Sequence, residues 1–286
     1  MSEAPWKECP VAIFCGGDHL RFGRLAGIQA KSLLVTHDTP LLWRLIDQLR
    51  SAGFSQIVAS TTRRLERQIA DSIDHYIRTS STDARIQVVA SMEQQRGVVF
   101  GLRHVLGMWA TERCLTCLGD IFFLANPFPS LRAHLEAKYD CLGVAPAVFE
   151  EELKLGGIVY QEDDRIRSIL ERPICVVTGS PLRWSGVALS HRRQALADLE
   201  LFANRLSDDP PPGDFFEFQL RRGRDLRCIS GPDFVNVNTP DHLLLASLYA
   251  RLEAGADRGP LSSSLTVAAS SLRFDLAHRT PRKGPK

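Results

Sequence analysis

Two cations ten positions apart, Arg21 and Lys31, follow an apolar run, Val11 to Cys15, that ends in the loop Gly16-Gly17-Asp18. A strand opening into a glycine turn lets successive backbone N–H groups approach a polyphosphate, and cations just downstream neutralise it. A second apolar run, Leu115 to Leu118, ends in Gly119-Asp120. The Asp120 carboxylate suits a magnesium ion held against phosphate oxygens, since that ion takes one or two carboxylates plus substrate phosphate. In a parallel α/β sheet, ligands gather at the carboxyl ends of the strands, where Gly16-Gly17, Gly119-Asp120 and the Asn236 segment are expected to converge.

Those strand ends need a regular scaffold. After the basic loop, Thr39-Pro40 stands where an N-cap and first helical residue belong, and Leu42, Leu45, Ile46 and Leu49 follow at helical spacing until Gly53 stops the run. A strand over Gln56 to Ser60, a polar helix over Thr62 to Ile73, a strand over Ile86 to Ala90, a helix over Gly97 to Trp109 and the strand Leu115 to Leu118 continue the alternation. This rhythm predicts a three-layer α/β/α domain around a mostly parallel, Rossmann-like sheet. The second half changes character: Ile158 to Gln161 and Arg165 to Ile169 flank Glu162-Asp163-Asp164 and read as an inserted β-hairpin. Beyond it come a strand over Trp184 to Leu189, a helix over His191 to Ala203, a proline-rich break at Pro210 to Gly213 and a helix over Phe215 to Arg221. Thr239-Pro240 starts a last helix. Residues 1–254 are expected to form the catalytic domain and 255–286 a loosely held Ser-, Arg- and Pro-rich tail. In that tail Leu272, Phe274 and Leu276 alternate as an edge strand would.

With 286 residues, 44% of them hydrophobic, the chain can bury a sizeable core. Its 35 basic and 33 acidic residues are interspersed and leave a formal net charge of +2. That argues against a nucleic-acid or anionic-membrane partner, so any anion must be gripped locally. Seven scattered cysteines, mostly within apolar runs, read as reduced thiols. With neither a signal-like start nor an apolar run of membrane-spanning length, the expectation is a soluble, cytoplasmic protein. The apolar Phe215 to Leu220 helix and the tail are candidate surfaces for a homo-oligomer.

Competing motifs fare poorly. Cys114-x-x-Cys117 has no second pair for zinc, and residues three apart on a strand face opposite sides, so both read as buried structural thiols. Gly27 to Ser32 lacks the glycine a P-loop needs before its lysine. Asp163-Asp164 reads as a solvated turn rather than a metal-holding pair. No histidine belongs to a nucleophile elbow or a zinc-binding pair.

Taken together and in this order, the motifs from Val11 to Ala246 resemble the sugar-phosphate nucleotidylyltransferases. The opening loop is similar to that family's glycine-rich signature, with Arg21 and Lys31 in its arginine and lysine positions and Thr39-Pro40-Leu41-Leu42 continuing the match. The resemblance implies that Gly97 lies against the nucleotide base and that Asp120 binds the metal. Glu171-Arg172-Pro173 resembles the element whose glutamate meets the sugar and whose cation meets its phosphate. Gly157 is similar to the glycine that admits the sugar ring, and Ser185-Gly186 to the strand lining the acceptor pocket. Asn236-Val237-Asn238-Thr239-Pro240-Asp241 resembles the closing motif that supplies a second metal contact. Its Asn-x-Asn-Thr-Pro form resembles that of the molybdopterin guanylyltransferase branch, and Asn236 stands where sugar-specific members usually carry aspartate. His19-Leu20 replaces a usual Gly-Thr, and Ala30 a usual proline.

The implied activity joins a nucleoside triphosphate to a small phosphorylated acceptor, a sugar 1-phosphate first, with magnesium as cofactor and pyrophosphate as the second product. Two alternatives stand beside it: transfer to a non-sugar phosphorylated acceptor, and a non-catalytic regulatory homologue that holds a nucleotide-sugar.

Overall fold

A computed structural model describes residues 9–16, 22, 29–91, 97–148, 152–153, 156–171, 181–203, 210–255 and 260–278. Among the predicted site residues, Gly17, Asp18, Arg21 and Arg172 lie outside that set. In chain order the elements are β1 (Val11–Phe14), a 3-10 turn at Lys31–Leu33, β2 (Val35–Thr36), β3 (Thr39–Pro40), α1 (Leu41–Ser51), β4 (Gln56–Thr62), α2 (Arg63–Thr79) and β5 (Arg85–Ser91). Next come α3 (Val98–Met108), β6 (Arg113–Leu118), β7 (Ile121–Phe123), α4 (Phe128–Arg132), β8 (Asp140–Pro146), β9 (Gly157–Glu162) and β10 (Arg165–Glu171). The chain continues with β11 (Leu182–His191), α5 (Arg192–Ala203), α6 (Pro212–Arg221), β12 (Leu226–Ser230), β13 (Phe234–Asn236), α7 (Pro240–Ala254) and α8 (Pro260–His278).

Nine strands form one sheet in the order β5-β4-β1-β6-β11-β8-β12-β10-β9. The expected parallel half is present: β5, β4, β1 and β6 run in one direction. The other half corrects the mostly parallel expectation. Only β8 with β12 adds a parallel pairing there, while β11 runs against β6, β8 and β9, and β10 against β12 and β9. The sheet is therefore mixed. Because β9 also pairs with the first residues of β11, the strands β11-β8-β12-β10-β9 close on themselves. β8 and β12 are strands that the alternation reading did not name, although Gly223 and Gly231-Pro232 bracket β12 and Pro146 ends β8.

Alternate residues of the central strands feed two cores. Val11, Ile13, Leu115, Cys117, Val187 and Leu189 pack with the buried faces of α1 and α2 on one side. Cys114, Leu142, Val144 and Ala188 pack with α3, α5 and α6 on the other, which gives the three layers. Cys114 and Cys117 thus sit in different cores, fully buried, as the strand period requires. The β9–β10 hairpin turns at Asp163 with φ of 56°, and Asp164 is tied to Arg227 at 2.8 Å.

The segment expected as a loose tail is instead partly helix. α8 packs on α7 over a third core around Phe122, Val235 and Val237, so Leu272, Phe274 and Leu276 lie on a helix rather than an edge strand. It is anchored by Arg273, whose Nε donates to Glu152 Oε1 at 2.6 Å and whose Nη2 donates to Asp233 Oδ1 at 3.1 Å. Arg183 of β11 joins the same two carboxylates. Among the described residues no helix is long and apolar enough to cross a membrane.

Candidate active site

β1 and β6 lie side by side and parallel, so their carboxyl ends emerge together. The backbone N–H of Gly119 donates to the Phe14 carbonyl at 2.9 Å. A Cβ at position 119 would stand 2.8 Å from that same carbonyl oxygen, closer than any side chain tolerates. The glycine before Asp120 is thus a requirement of strand contact, and it brings the Asp120 turn against the Gly16 end of β1.

Lys31 reaches the same place from the 3-10 turn that follows the basic loop. Its Nζ lies 3.2 Å from Asp120 Oδ2 and 2.8 Å from Asn238 Oδ1, with only 10% of the lysine side chain and 21% of the aspartate exposed. A charged pair this far out of water is screened little by salt. The third component arrives from β13, which runs antiparallel to β7 with Asn236 opposite Ile121, while the Val237 N–H donates to the Asp120 carbonyl at 2.8 Å. Residues 120 and 236–238, far apart in sequence, are thereby stitched into one wall.

Among the described residues Asn236 Oδ1 is buried and has no hydrogen-bond partner. A buried carbonyl oxygen left unpaired carries a desolvation cost that a cation or a donor would relieve. One carboxylate and one neutral amide oxygen suit a magnesium ion, which keeps waters and phosphate oxygens for its other positions. Among the described residues there is no cluster of three or more histidine, cysteine, aspartate or glutamate side chains of the kind a zinc site uses. The residues fit the magnesium expectation.

Of the predicted acceptor residues, Gly157, Glu171 and Gly186 stand on β9, β10 and β11, and Gly97, predicted to meet the base, precedes α3. Gly97 caps α3 with φ of 96° and ψ of 164°, a conformation that only glycine adopts without strain. Gly186, at φ of 76°, lies against Leu118 and Ile121, which flank the Asp120 turn; an added Cβ would approach both to 3.1–3.2 Å. It therefore adjoins both groups of residues. Val98, Trp184 and Gly186 line a narrow apolar cleft together with Phe14, Pro212 and Phe216. Gly157 opens β9 directly opposite Glu171 at the end of β10, beneath the Glu171 carboxylate and the Trp184 ring. Ser185 is turned elsewhere: it is buried and its Oγ donates to the Gly143 carbonyl at 2.8 Å, so its hydroxyl serves the β11–β8 contact. Two residues were missed as site members. Asn238 was legible as the second amide of Asn-x-Asn, whereas nothing in the spacing marks Trp184.

The family match covers residues 11–204, more than half of the chain, and its description is a MobA-like NTP transferase domain. The chain belongs to that family. No curated protein matches it in sequence. Among solved structures it is similar to a Bacillus anthracis protein that bears the name glucose-1-phosphate thymidylyltransferase, in complex with a sucrose, at 16% identity over 88% of this chain and 97% of that one, with a TM-score of 0.70. A UDP-glucose pyrophosphorylase complexed with UDP-glucose gives 15% identity, 86% and 99% coverage and a TM-score of 0.71. HddC from Yersinia pseudotuberculosis gives 15% identity, 84% and 98% coverage and 0.63. At such identities the likeness is one of fold, and the chain is a nucleotidyltransferase by family.

Proposed function

We propose that this chain transfers a nucleotidyl group from a nucleoside triphosphate to a sugar 1-phosphate, releasing pyrophosphate and forming a nucleoside-diphosphate sugar. The observation that carries the reading is the part-buried grouping of Lys31, Asp120 and Asn238 at the end of the glycine-bearing strand, with Asn236 on the same wall. An acceptor phosphate oxygen attacks the α-phosphorus in line, the bond to the bridging oxygen of the β-phosphate breaks, and pyrophosphate leaves with the electron pair. Such chemistry needs positioning and charge neutralisation more than a protein nucleophile. Asp120 and Asn236 would hold magnesium, which supplies charge neutralisation at the phosphate oxygens when bound.

The chain's own groups do the rest. Lys31 is held by Asn238 and Asp120, so its ammonium has a fixed place before a triphosphate arrives, and little reorganisation would remain for the transition state. From their places in the sequence, Arg21 is assigned to the departing pyrophosphate and Arg172 to the attacking phosphate. Gly97 gives the base a close approach to the backbone, and Glu171 over Gly157 accepts from acceptor hydroxyls. Because Cys15 and Cys117 beneath the site are buried, and burial pushes the Cys15 thiol up to about 12, neither serves as a nucleophile at neutral pH.

A second reading has a specific observation behind it. The amide at position 236 and the MobA-like match favour a non-sugar phosphorylated acceptor. A screen of triphosphates against sugar 1-phosphates and other phosphorylated acceptors, following magnesium-dependent pyrophosphate release, separates the two. Release with a sugar 1-phosphate supports the first, and release only with other acceptors supports the second. Thermal stabilisation by nucleotide without turnover would sink both in favour of a binding protein.

A further inference from the structure

We infer that Gly213, the second residue of α6, is a positioning residue that sets acceptor affinity by holding the Glu171 carboxylate in place; this rests on the proposed reading of Glu171 as an acceptor contact. The Gly213 backbone N–H donates to Glu171 Oε1 at 3.0 Å. A Cβ at 213 would stand 2.6 Å from both Cγ and Oε1 of Glu171, so any residue but glycine drives that side chain away. On its other side the same carboxylate lies over Gly157, where a Cβ would come within 3.2 Å of Oε1. Glu171 is therefore gripped between two positions without side chains and held by the Gly213 charge-assisted hydrogen bond at the first turn of a ten-residue helix, an end that favours an anion.

Helix α6 is itself registered on β10 by a reciprocal contact. Glu217 Oε2 accepts from the Ile169 N–H at 2.9 Å, so each element lends a carboxylate to the other's backbone. Two ties spaced along one helix and one strand oppose sliding and rotation, and they hold the Glu171 oxygen over Gly157, which Trp184 also adjoins. The proline-rich segment before α6 places Pro212 at the first helical position, which needs no N–H, and leaves the next N–H, that of Gly213, for Glu171.

The test is steady-state kinetics on the full chain with magnesium, the best triphosphate and the best acceptor from the screen. Gly213→Ala should raise the acceptor KM about 10- to 100-fold, the loss that one charge-assisted hydrogen bond carries, and leave the triphosphate KM within about twofold. Alanine is the better helix former, so helix propensity predicts no such loss. In a Glu171→Ala background, where the clashing atoms are gone, adding Gly213→Ala should leave the acceptor KM unchanged. Were Gly213→Ala unable to fold, folding of the double variant would support the inference and misfolding of both would overturn it. An unchanged acceptor KM in Gly213→Ala, or additive effects in the double variant, overturns this inference alone. Absence of turnover by the unaltered chain overturns the nucleotidyl-transfer reading and this inference with it.

Discussion

Replacing Arg273 by alanine tests whether the last helix is a structural part of the enzyme. Its guanidinium makes two hydrogen bonds to Glu152, at 2.6 and 3.1 Å, and two to Asp233, with 7% of its side chain exposed. Arg183 is the other cation of the group, so the intact cluster balances two positive against two negative charges and the variant leaves one against two. Removing one partner of a buried ion pair costs about 3–5 kcal/mol, because the remaining charge keeps its desolvation penalty. Asp233 is a quarter exposed and water relieves part of this, which points to the lower end, about 3 kcal/mol.

Equilibrium urea unfolding reads the effect; with a slope of about 3 kcal/mol/M the midpoint should fall by about 1 M. The pH dependence has a definite sign. Burial alone would raise the Asp233 carboxyl, but the Arg273 hydrogen bond and the charges of Arg183 and Arg273 outweigh it and hold it below its ordinary 3.8. Its contribution is therefore present above 3.8 and lost as pH falls through the lower folded value. The difference between wild type and Arg273→Ala should be flat near neutrality and shrink in that acid range. A loss below about 1 kcal/mol, or one that does not change with acidification, would refute the reasoning, since those are marks of a solvated surface pair.

Lys31→Ala should lower kcat by about 100-fold or more, the scale for losing one preorganised electrostatic contact, and a near-normal rate would remove Lys31 from the mechanism. Cys9, Cys15, Cys141 and Cys228, whose thiols burial pushes up to about 12, should stay protonated at pH 8 and resist iodoacetamide in the native protein. They should react once urea unfolds the chain, as peptide mapping by mass spectrometry can follow; rapid native labelling would contradict their burial.

Local rules served well where local physics decides. Strand period and helical spacing located β1, β4, β5, β6, α1 and α3, and Thr239 caps α7 through the His242 N–H as its position suggested. They failed on β8, β12 and α8. β8 lies between β11 and β12, and β12 between β8 and β10, an order that spacing along the chain does not give. α8 carries polar residues through much of its length and is held by one buried arginine whose acids lie 40 and 121 positions away. Serine-rich composition suggested a tail because composition does not register a distant ion pair.

The site divides in the same way. Gly97, Gly119, Asp120 and Lys31 were legible because a turn, a strand end and a cation each leave a mark on neighbouring residues. That Lys31 meets Asn238, that Val237 is stitched to Asp120, and that Gly213 faces Glu171 were decided by tertiary structure alone. Periodicity and backbone preference act over a few residues and are written into the order of the chain. Contact between residues separated by 42 or 207 positions depends on how the sheet is ordered and closed, which no local rule encodes.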